Sequence, residues 1–357
     1  MRFPLTRLET FVASVFEAVG APPEHAAIVA SRLLEGDLRG RTGHGLMRVR
    51  QYADRALAGG INVEPDVHVV NDTPVSALVD GDNGFGPLVM TRAAELAIEK
   101  AGSSGLAWVS TRNSNHAGAA GVYPALALRR GLGAIYMAVA AANVMPPWGG
   151  VERLLGTNPI AVAIPAGESD PFQLDIATTV ASQGTIRVMA TTGQPLPEGW
   201  VVDEAGRPIT DPARAEEGFL LPIGGHKGSG LNVMIGLLAG VLNGAAFGGE
   251  VVGRDQRSTP TNTGQMILVF RPDLFMDRED FGIAMDRHLE GLRRSRPRDP
   301  LQPVRLPGDR AVEREADQRR HGVDVPARLI EDLAALAAEL DLPDRLAPEQ
   351  GAGQVDV

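Results

Sequence analysis

Apolar residues recur at helical spacing toward both ends of the chain and fall into short unbroken runs between them. Leu5, Leu8, Phe11, Val12, Val15, Phe16 and Val19 step by threes and fours, predicting a helix over residues 5–19. A second is predicted over residues 23–38, with Ile28, Val29, Leu33 and Leu34 on one side, and a third opening just after Gly45. From about residue 74 to 250 the texture changes to Gly, Ala and Val, with apolar runs bounded by turn residues. Runs at 75–79, 105–110, 133–139, 160–164 and 172–176 read as strands. Helical patterns at 88–99 and 118–129 separate the first three. Residues 231–242 read as a buried helix and 265–270 as one more strand. A charged, proline-spaced stretch over 295–312 precedes an amphipathic helix at 326–340, carried by Leu329, Ile330, Leu333, Leu336, Ala337 and Leu340. No internal repeat is visible.

Composition excludes several classes. The chain has 357 residues, long for one core, so one to three lobes are expected. Its net charge of −10 argues against a nucleic-acid footprint, which concentrates Lys and Arg. It has no cysteine, which removes disulfides, thiolate nucleophiles and zinc–sulfur sites. Glu9 and Glu17 interrupt any signal-peptide core, and no stretch reaches the ~18 apolar residues of a membrane span. A cytoplasmic protein with no membrane partner and no metal is the expectation.

The densest chemistry lies in Arg41-Thr-Gly-His-Gly-Leu-Met-Arg-Val-Arg-Gln-Tyr52. On a helix begun after Gly45, residues four apart share a face, so His44, Arg48 and Tyr52 would turn toward one cavity. Histidine exchanges a proton near neutral pH, and an arginine fork grips a planar carboxylate at two points. Together they suit a small acid with a carbonyl or hydroxyl beside its carboxylate. A solvated helix face with an incidental His and Arg fits the same spacing.

The glycine-rich segments match neither standard phosphate cradle. Gly84-Phe-Gly-Pro-Leu-Val89 lacks the third glycine of a dinucleotide fingerprint, and His226 stands where a P-loop needs glycine before Lys227. Lys227, among glycines near a helix start, still suits an anion, or else a tight turn with a solvated lysine. Ser114-Asn-His-Ala-Gly-Ala-Ala-Gly121 combines a polar turn with small residues that admit a ligand close to the backbone; a helix-capping Asn115 with an incidental His116 is the plainer reading. Pro146-Pro-Trp-Gly-Gly150 and Leu155-Gly-Thr-Asn-Pro159 form a long non-periodic loop, a type usually kept for function.

In this order the segments resemble the malate/L-lactate dehydrogenase-like family of NAD(P)-dependent oxidoreductases, which is distinct from the Rossmann-type lactate and malate dehydrogenases. Its members include ureidoglycolate and sulfolactate dehydrogenases, 2,3-diketogulonate reductase and cyclic imino-acid reductases. The resemblance runs from about Leu8 to Leu340. It rests on His44-Gly-x-x-Arg48 with Tyr52, Gly59-Gly-Ile-Asn62, Asn115-His116, Pro147-Trp-Gly-Gly150 and Gly156-Thr-Asn-Pro159. It continues through Asp175-Ile-Ala-Thr-Thr179, Pro197-Glu-Gly-Trp200, Lys227-Gly228 and Leu306-Pro-Gly308. The Lys227-Gly-Ser-Gly230 form leans toward diketogulonate reductase.

The resemblance implies an α/β (α+β) fold: a non-Rossmann nucleotide-binding domain with a largely antiparallel sheet, over residues 73–271, and a discontinuous helical domain over 1–72 and 272–345. Residues 346–357 are expected to form a flexible tail. It implies a homodimer with a composite active site. His44 would donate the proton to the substrate carbonyl, Arg48 would hold the carboxylate, Tyr52 would line the pocket, and His116 would be a second acid–base group. Gly118, Asp175, Ile176, Ala177, His226 and Lys227 would contact NAD or NADP, with Pro307, Gly308 and Asp309 closing over it. Two departures stand out. The family's usual serine before the histidine is Gly43, and a common Asn-Ser pair is Ala140-Ala141, for which Asn143 is the candidate substitute.

The expected activity is NAD(P)H-dependent reduction of a small 2-oxo acid to the L-2-hydroxy acid, and its reverse. A cyclic imino-acid reductase and a ligand-binding member without turnover are the alternatives.

Overall fold

The computed structural model describes residues 1–253 and 256–346. Its first stretch is a short strand β1 (Arg2–Phe3), then helices α1 (Leu5–Ala18), α2 (Pro23–Leu38) and α3 (Val49–Leu57). Strands β2 (His68–Asp72) and β3 (Ser76–Asp80) lead to helix α4 (Gly86–Ser104), strand β4 (Leu106–Ser114), helix α5 (Val122–Leu128) and strand β5 (Gly133–Ala138). Strands β6 (Ile160–Ile164) and β7 (Phe172–Ile176) precede α6 (Gln183–Thr192), the small pair β8 (Val201–Val202) and β9 (Phe219–Leu220), α7 (His226–Ala239) and strand β10 (Thr263–Phe270). Helices α8 (Arg278–Arg293) and α9 (Asp309–His321), strand β11 (Val323–Asp324) and helix α10 (Ala327–Glu339) complete it.

Both chain ends share one core. Leu8, Phe11, Val12, Val15 and Phe16 of α1 meet Val29, Leu33 and Leu34 of α2, and Ile330, Leu333, Leu336 and Ala337 of α10 join the same cluster. Each such side chain, taken fully out of water, contributes about 1.5–3 kcal/mol. Antiparallel pairing of Arg2 with Asp324 and Phe3 with Val323 ties the two ends together.

Among the described residues, seven strands form the main sheet in the order β2-β3-β4-β10-β5-β6-β7. It is mixed: β3 and β4 run parallel and every other neighbouring pair is antiparallel. On one face α4 presents Ala93, Ala94, Ala97 and Ala101, fully buried and small enough to let the helix lie close to the strands. On the other, Ile235 and Ala239 of α7 pack on Met137, Val139 and Met266. A third cluster of Val144, Met145, Leu155, Ile186, Leu196, Val201 and Leu220 gathers the long 140–159 loop, α6 and the β8–β9 pair into a lobe beside the sheet.

Several boundaries differ from the sequence reading. The third helix starts at Val49 rather than after Gly45; two 3₁₀ turns, Thr42–His44 and Leu46–Arg48, come first. The strand read at 105–110 continues to Ser114, because its polar end finds hydrogen-bond partners: Thr111 Oγ1 with buried Gln265 Oε1, and Asn113 N with half-buried Asn262 Oδ1 at 2.8 Å. The helix read from Gly118 starts at Val122, since Gly118 is left-handed at φ +72°. The helix read from Leu231 starts at His226, which makes Lys227 its second residue. β2, α6, α8 and α9 go beyond that reading. Of the tail expected over 346–357, all but Leu346 lies outside the described residues. No helix among the described residues is long and apolar enough to cross a membrane.

Candidate active site

The loop carrying His44 rests on the end of α2. Arg41 N donates to Gly36 O at 2.7 Å and His44 N to Arg41 O at 2.8 Å, winding the chain into its 3₁₀ turn. Below it, buried Asp37 accepts the Leu46 backbone N–H at 2.7 Å. A Cβ on Gly45 would overlap that carboxylate, so glycine at 45 lets the loop close over Asp37. Burial drives the Asp37 carboxyl up to about 8, against the smaller downward pull of the Leu46 N–H. Position 43 is different: a Cβ there would meet only Gly184 Cα, at 3.9 Å, and a larger side chain has room.

His116 approaches the loop from the end of β4. Its Nε2 lies 3.3 Å from His44 Nδ1, and the two rings stack with centroids 5.4 Å apart. On its other side the Tyr52 hydroxyl is 2.7 Å from both His116 Nδ1 and His116 O, and it accepts from Gly118 N at 3.1 Å. Burial holds the Tyr52 phenol well above its usual range, so it serves as a neutral hydrogen-bonding group. The two imidazoles can have only one N–H between Nε2 and Nδ1, so the tautomer of one ring sets that of the other.

Asn115 is a buried strut here, rather than the helix cap proposed from sequence. Its Nδ2 donates to Asn83 O, Asn83 Oδ1 and Gly84 O at 3.0 Å, while its Oδ1 accepts from Thr261 Oγ1 at 3.0 Å. Gln265 Nε2 holds Asn115 O at 2.9 Å. These partners come from distant parts of the chain and fix the backbone from which His116 projects.

The two histidines open onto a cavity of about 360 Å³ that Gly118, Ala138, Ala140, Asp175, Ala177 and Thr185 also help line. A second cavity, of about 690 Å³, adjoins it through shared Gly40, Arg41 and Asp175 and reaches Gly308. Arg41 Nε is 3.3 Å from Asp175 Oδ2, and Gly121 N donates to the same oxygen at 3.1 Å. Burial raises the Asp175 carboxyl, with Arg41 and that N–H pulling the other way.

The His44–Arg48–Tyr52 ladder does not form a single face. Without a continuous helix through 44–48, Arg48 turns into a third cavity of about 360 Å³, together with Gln51, Asp54 and Arg257. Its Nε donates to Gly43 O at 2.8 Å and an Nη to Gln51 Oε1 at 2.7 Å. Gly43, Met47 and Gly184 line both this cavity and that of His44.

The remaining sequence candidates are spread out. Ile176 ends β7 beside Asp175, and Pro307 O accepts from Gln173 N at 3.4 Å. Asp309 binds Arg293 at 2.8 Å. Asn143 donates to Gly248 O at 2.7 Å while its Oδ1 is buried without a partner among the described residues. His226 and Lys227 are exposed at the head of α7, His226 edge-on to Trp148 with centroids 6.1 Å apart, and neither lines the two adjoining cavities. The sequence reading missed Arg39, Arg41, Arg305, Arg310 and Arg314 around the larger cavity, and the α6 residues over the smaller one. The visible signals were Arg39-Gly-Arg41 and the like-charged pair Arg310 and Arg314, four apart.

This fold and site define the class. The family model described as malate/L-lactate dehydrogenase matches residues 3–334, and the chain belongs to that family and is an oxidoreductase. Among individual proteins, it is 37% identical over 334 residues to the L-sulfolactate dehydrogenase of Methanocaldococcus jannaschii, covering 93% of this chain and 95% of that one. The solved structure of sulfolactate dehydrogenase from that organism matches with a TM-score of 0.88 over 96% of this chain and 98% of that one. The malate dehydrogenase of Pyrococcus horikoshii is 35% identical, covering 94% and 95%. Delta1-piperideine-2-carboxylate reductase from Pseudomonas syringae matches in structure with a TM-score of 0.84 and 30% identity, covering 94% and 100%.

Proposed function

We propose that the protein reduces a small 2-oxo acid to the 2-hydroxy acid, reversibly, with a nicotinamide dinucleotide. The observation that carries this reading is the His44–His116 contact at the mouth of a cavity, in a chain of this family. The dinucleotide is tested by the residues around the adjoining cavities. A wall of Ala138, Val139, Ala140 and Ala177 is apolar and small enough to admit a ring, and the guanidinium of Arg41, beside Asp175, suits a phosphate of the dinucleotide backbone. They fit the group. When bound, it supplies or accepts the hydride.

The chain's own residues handle the proton and the carboxylate. His44 protonates the oxygen that becomes the hydroxyl, and His116, joined to it through one shared N–H, moves charge between the rings. Tyr52 orients His116 from behind. Arg48 is assigned to the substrate carboxylate. For this its guanidinium exchanges Gln51 for the ligand across the Gly43 backbone, where the two cavities share a wall. The same reading assigns residues 73–271 to the dinucleotide and residues 1–72 with 272–345 to the helical domain; the apolar cluster of the chain ends also takes in Phe85 and Leu88.

One observation favours a second reading, reduction of a cyclic imino acid. Gly43 supplies no side chain at the position before His44, where the family's usual serine would orient the imidazole, and a ring nitrogen that arrives protonated needs less from the histidine. The experiment that decides is NADH and NADPH oxidation with a panel of 2-oxo acids and cyclic imino acids. Turnover of imino acids alone replaces the first reading with the second; turnover of neither class removes both.

A further inference from the structure

The cavity of about 690 Å³ is bounded by five guanidinium groups, from Arg39, Arg41, Arg305, Arg310 and Arg314. Three of them are engaged. Arg39 Nε lies 3.2 Å from Glu315, Arg41 pairs with Asp175 at 3.3 Å, and Arg305 pairs with Glu313 at 2.7 Å. Arg310 and Arg314 differ: among the described residues neither has a carboxylate within ion-pair distance. They stand four apart in the first turns of α9, so two like charges face each other on one side of a helix. Cations in the opening turn also oppose the helix dipole. Asp309 in the same turn is held by Arg293, and an anion between the two side chains would offset their repulsion. The floor of the cavity is shaped for it too: Arg314 lies across Gly40, which is left-handed at φ +77°, where a Cβ would strike the guanidinium.

The carboxylates lining the cavity point the same way. In Rossmann-type sites an acidic side chain that accepts from the ribose 2′-hydroxyl selects NAD, and a free carboxylate could do the same in any fold. Here Asp175 is taken by Arg41 and Gly121 N, Glu313 by Arg305, and Asp317 by Arg2 and His321. Each is satisfied by a partner in the chain.

We propose that Arg310 and Arg314 bind the 2′-phosphate of NADP(H), so that the protein selects the phosphorylated dinucleotide over NAD(H). This rests on the reading of the site as a dinucleotide oxidoreductase. The phosphate is a dianion with three acceptor oxygens, which two guanidinium forks on adjacent helical turns can share.

Equilibrium titration of the protein with NADPH and NADH, followed by calorimetry without substrate, is the test. NADPH is expected to bind at least about tenfold more tightly, the range of one charge-assisted contact. Arg310→Ser and Arg314→Ser should each erase most of that difference by weakening NADPH, with NADH within about twofold of its starting value. Because either variant can fail to fold, the unmodified chain is also titrated with adenosine 2′,5′-bisphosphate and adenosine 5′-monophosphate, which differ only in the 2′-phosphate. The bisphosphate should bind and should displace NADPH. NADH binding as tightly as NADPH, or equal affinity for the two adenosine phosphates, overturns the selectivity and leaves the oxidoreductase reading intact. Failure of both dinucleotides to bind overturns that reading and the selectivity with it.

Discussion

His44 is the residue on which the proposed chemistry converges. His44→Ala is expected to lower turnover by about two to four orders of magnitude, the range for losing a general acid. The dinucleotide dissociation constant should stay close to that of the parent. Steady-state rates beside direct titration separate the two, and an unchanged turnover number would remove His44 from the mechanism. Gly43 offers a gain-of-function counterpart, since its backbone is not left-handed and a side chain there meets only Gly184. On a 2-oxo acid, Gly43→Ser should raise kcat modestly and shift the pH–rate profile by orienting the imidazole. An unchanged rate and profile on a proven oxo acid would show that residue 43 has no hold on His44.

At the scale of elements, the end of α2 and the His44 loop are joined through Asp37, and this joint responds to pH. The folded protein keeps a proton on Asp37 up to about 8, whereas the unfolded chain releases it near 3.8. Between those values the native state binds more protons, so this group's contribution to stability is full below pH ~4 and is lost as pH rises through about 8. Asp37→Asn keeps an acceptor for Leu46 N and cannot ionise. Urea midpoints at pH 5, 7 and 9 should therefore fall less steeply for the variant than for the parent; parallel slopes would rule the carboxyl out as the source. Asp37 also shows what the sequence could and could not disclose. Leu8, Phe11, Val12, Val15 and Phe16 announce α1 because burial itself imposes their spacing. β6 and β7 were legible for the same reason, as short apolar runs between turn residues. His44, His116 and Tyr52 were legible as candidates through the family resemblance. Their contacts were not, because 64 and 72 residues separate His116 from its partners. The placement of Arg48 on one face with His44 and Tyr52 was not legible either, because two 3₁₀ turns replace the expected helix and helical spacing loses its meaning there. α8 and α9, polar over most of their surface, give little apolar periodicity to read.

For the whole molecule, the expected assembly is a homodimer. Several large apolar side chains remain uncovered in the single chain: Met234, Leu237, Val241 and Leu242 at α7 and the turn after it, and Phe275 and Leu301 around α8. Exposed apolar patches of this kind mark contact surfaces. Light scattering behind size exclusion should return twice the 37.7 kDa of the chain; a mass of one chain at micromolar concentration would refute the dimer.

The position of β10 bears on how such a molecule comes into being. Hydrogen-bonded between β4 and β5, it bridges two parts of the sheet whose other strands all precede it in the chain by more than 80 residues. Until residue 270 has left the ribosome, β4 and β5 each present an open edge, the kind of surface on which nascent chains aggregate. The late strand does more than close that gap. Thr261 just before it and Gln265 within it hold Asn115, and through Asn115 the backbone of His116. A chain stopped short of β10 would carry both histidines, yet lack the Thr263 and Gln265 side of the smaller cavity, the 305–317 side of the larger one, and two of the groups that hold Asn115. Catalytic competence in this protein is thus a late event of synthesis, reached only when the sheet is sealed from the middle.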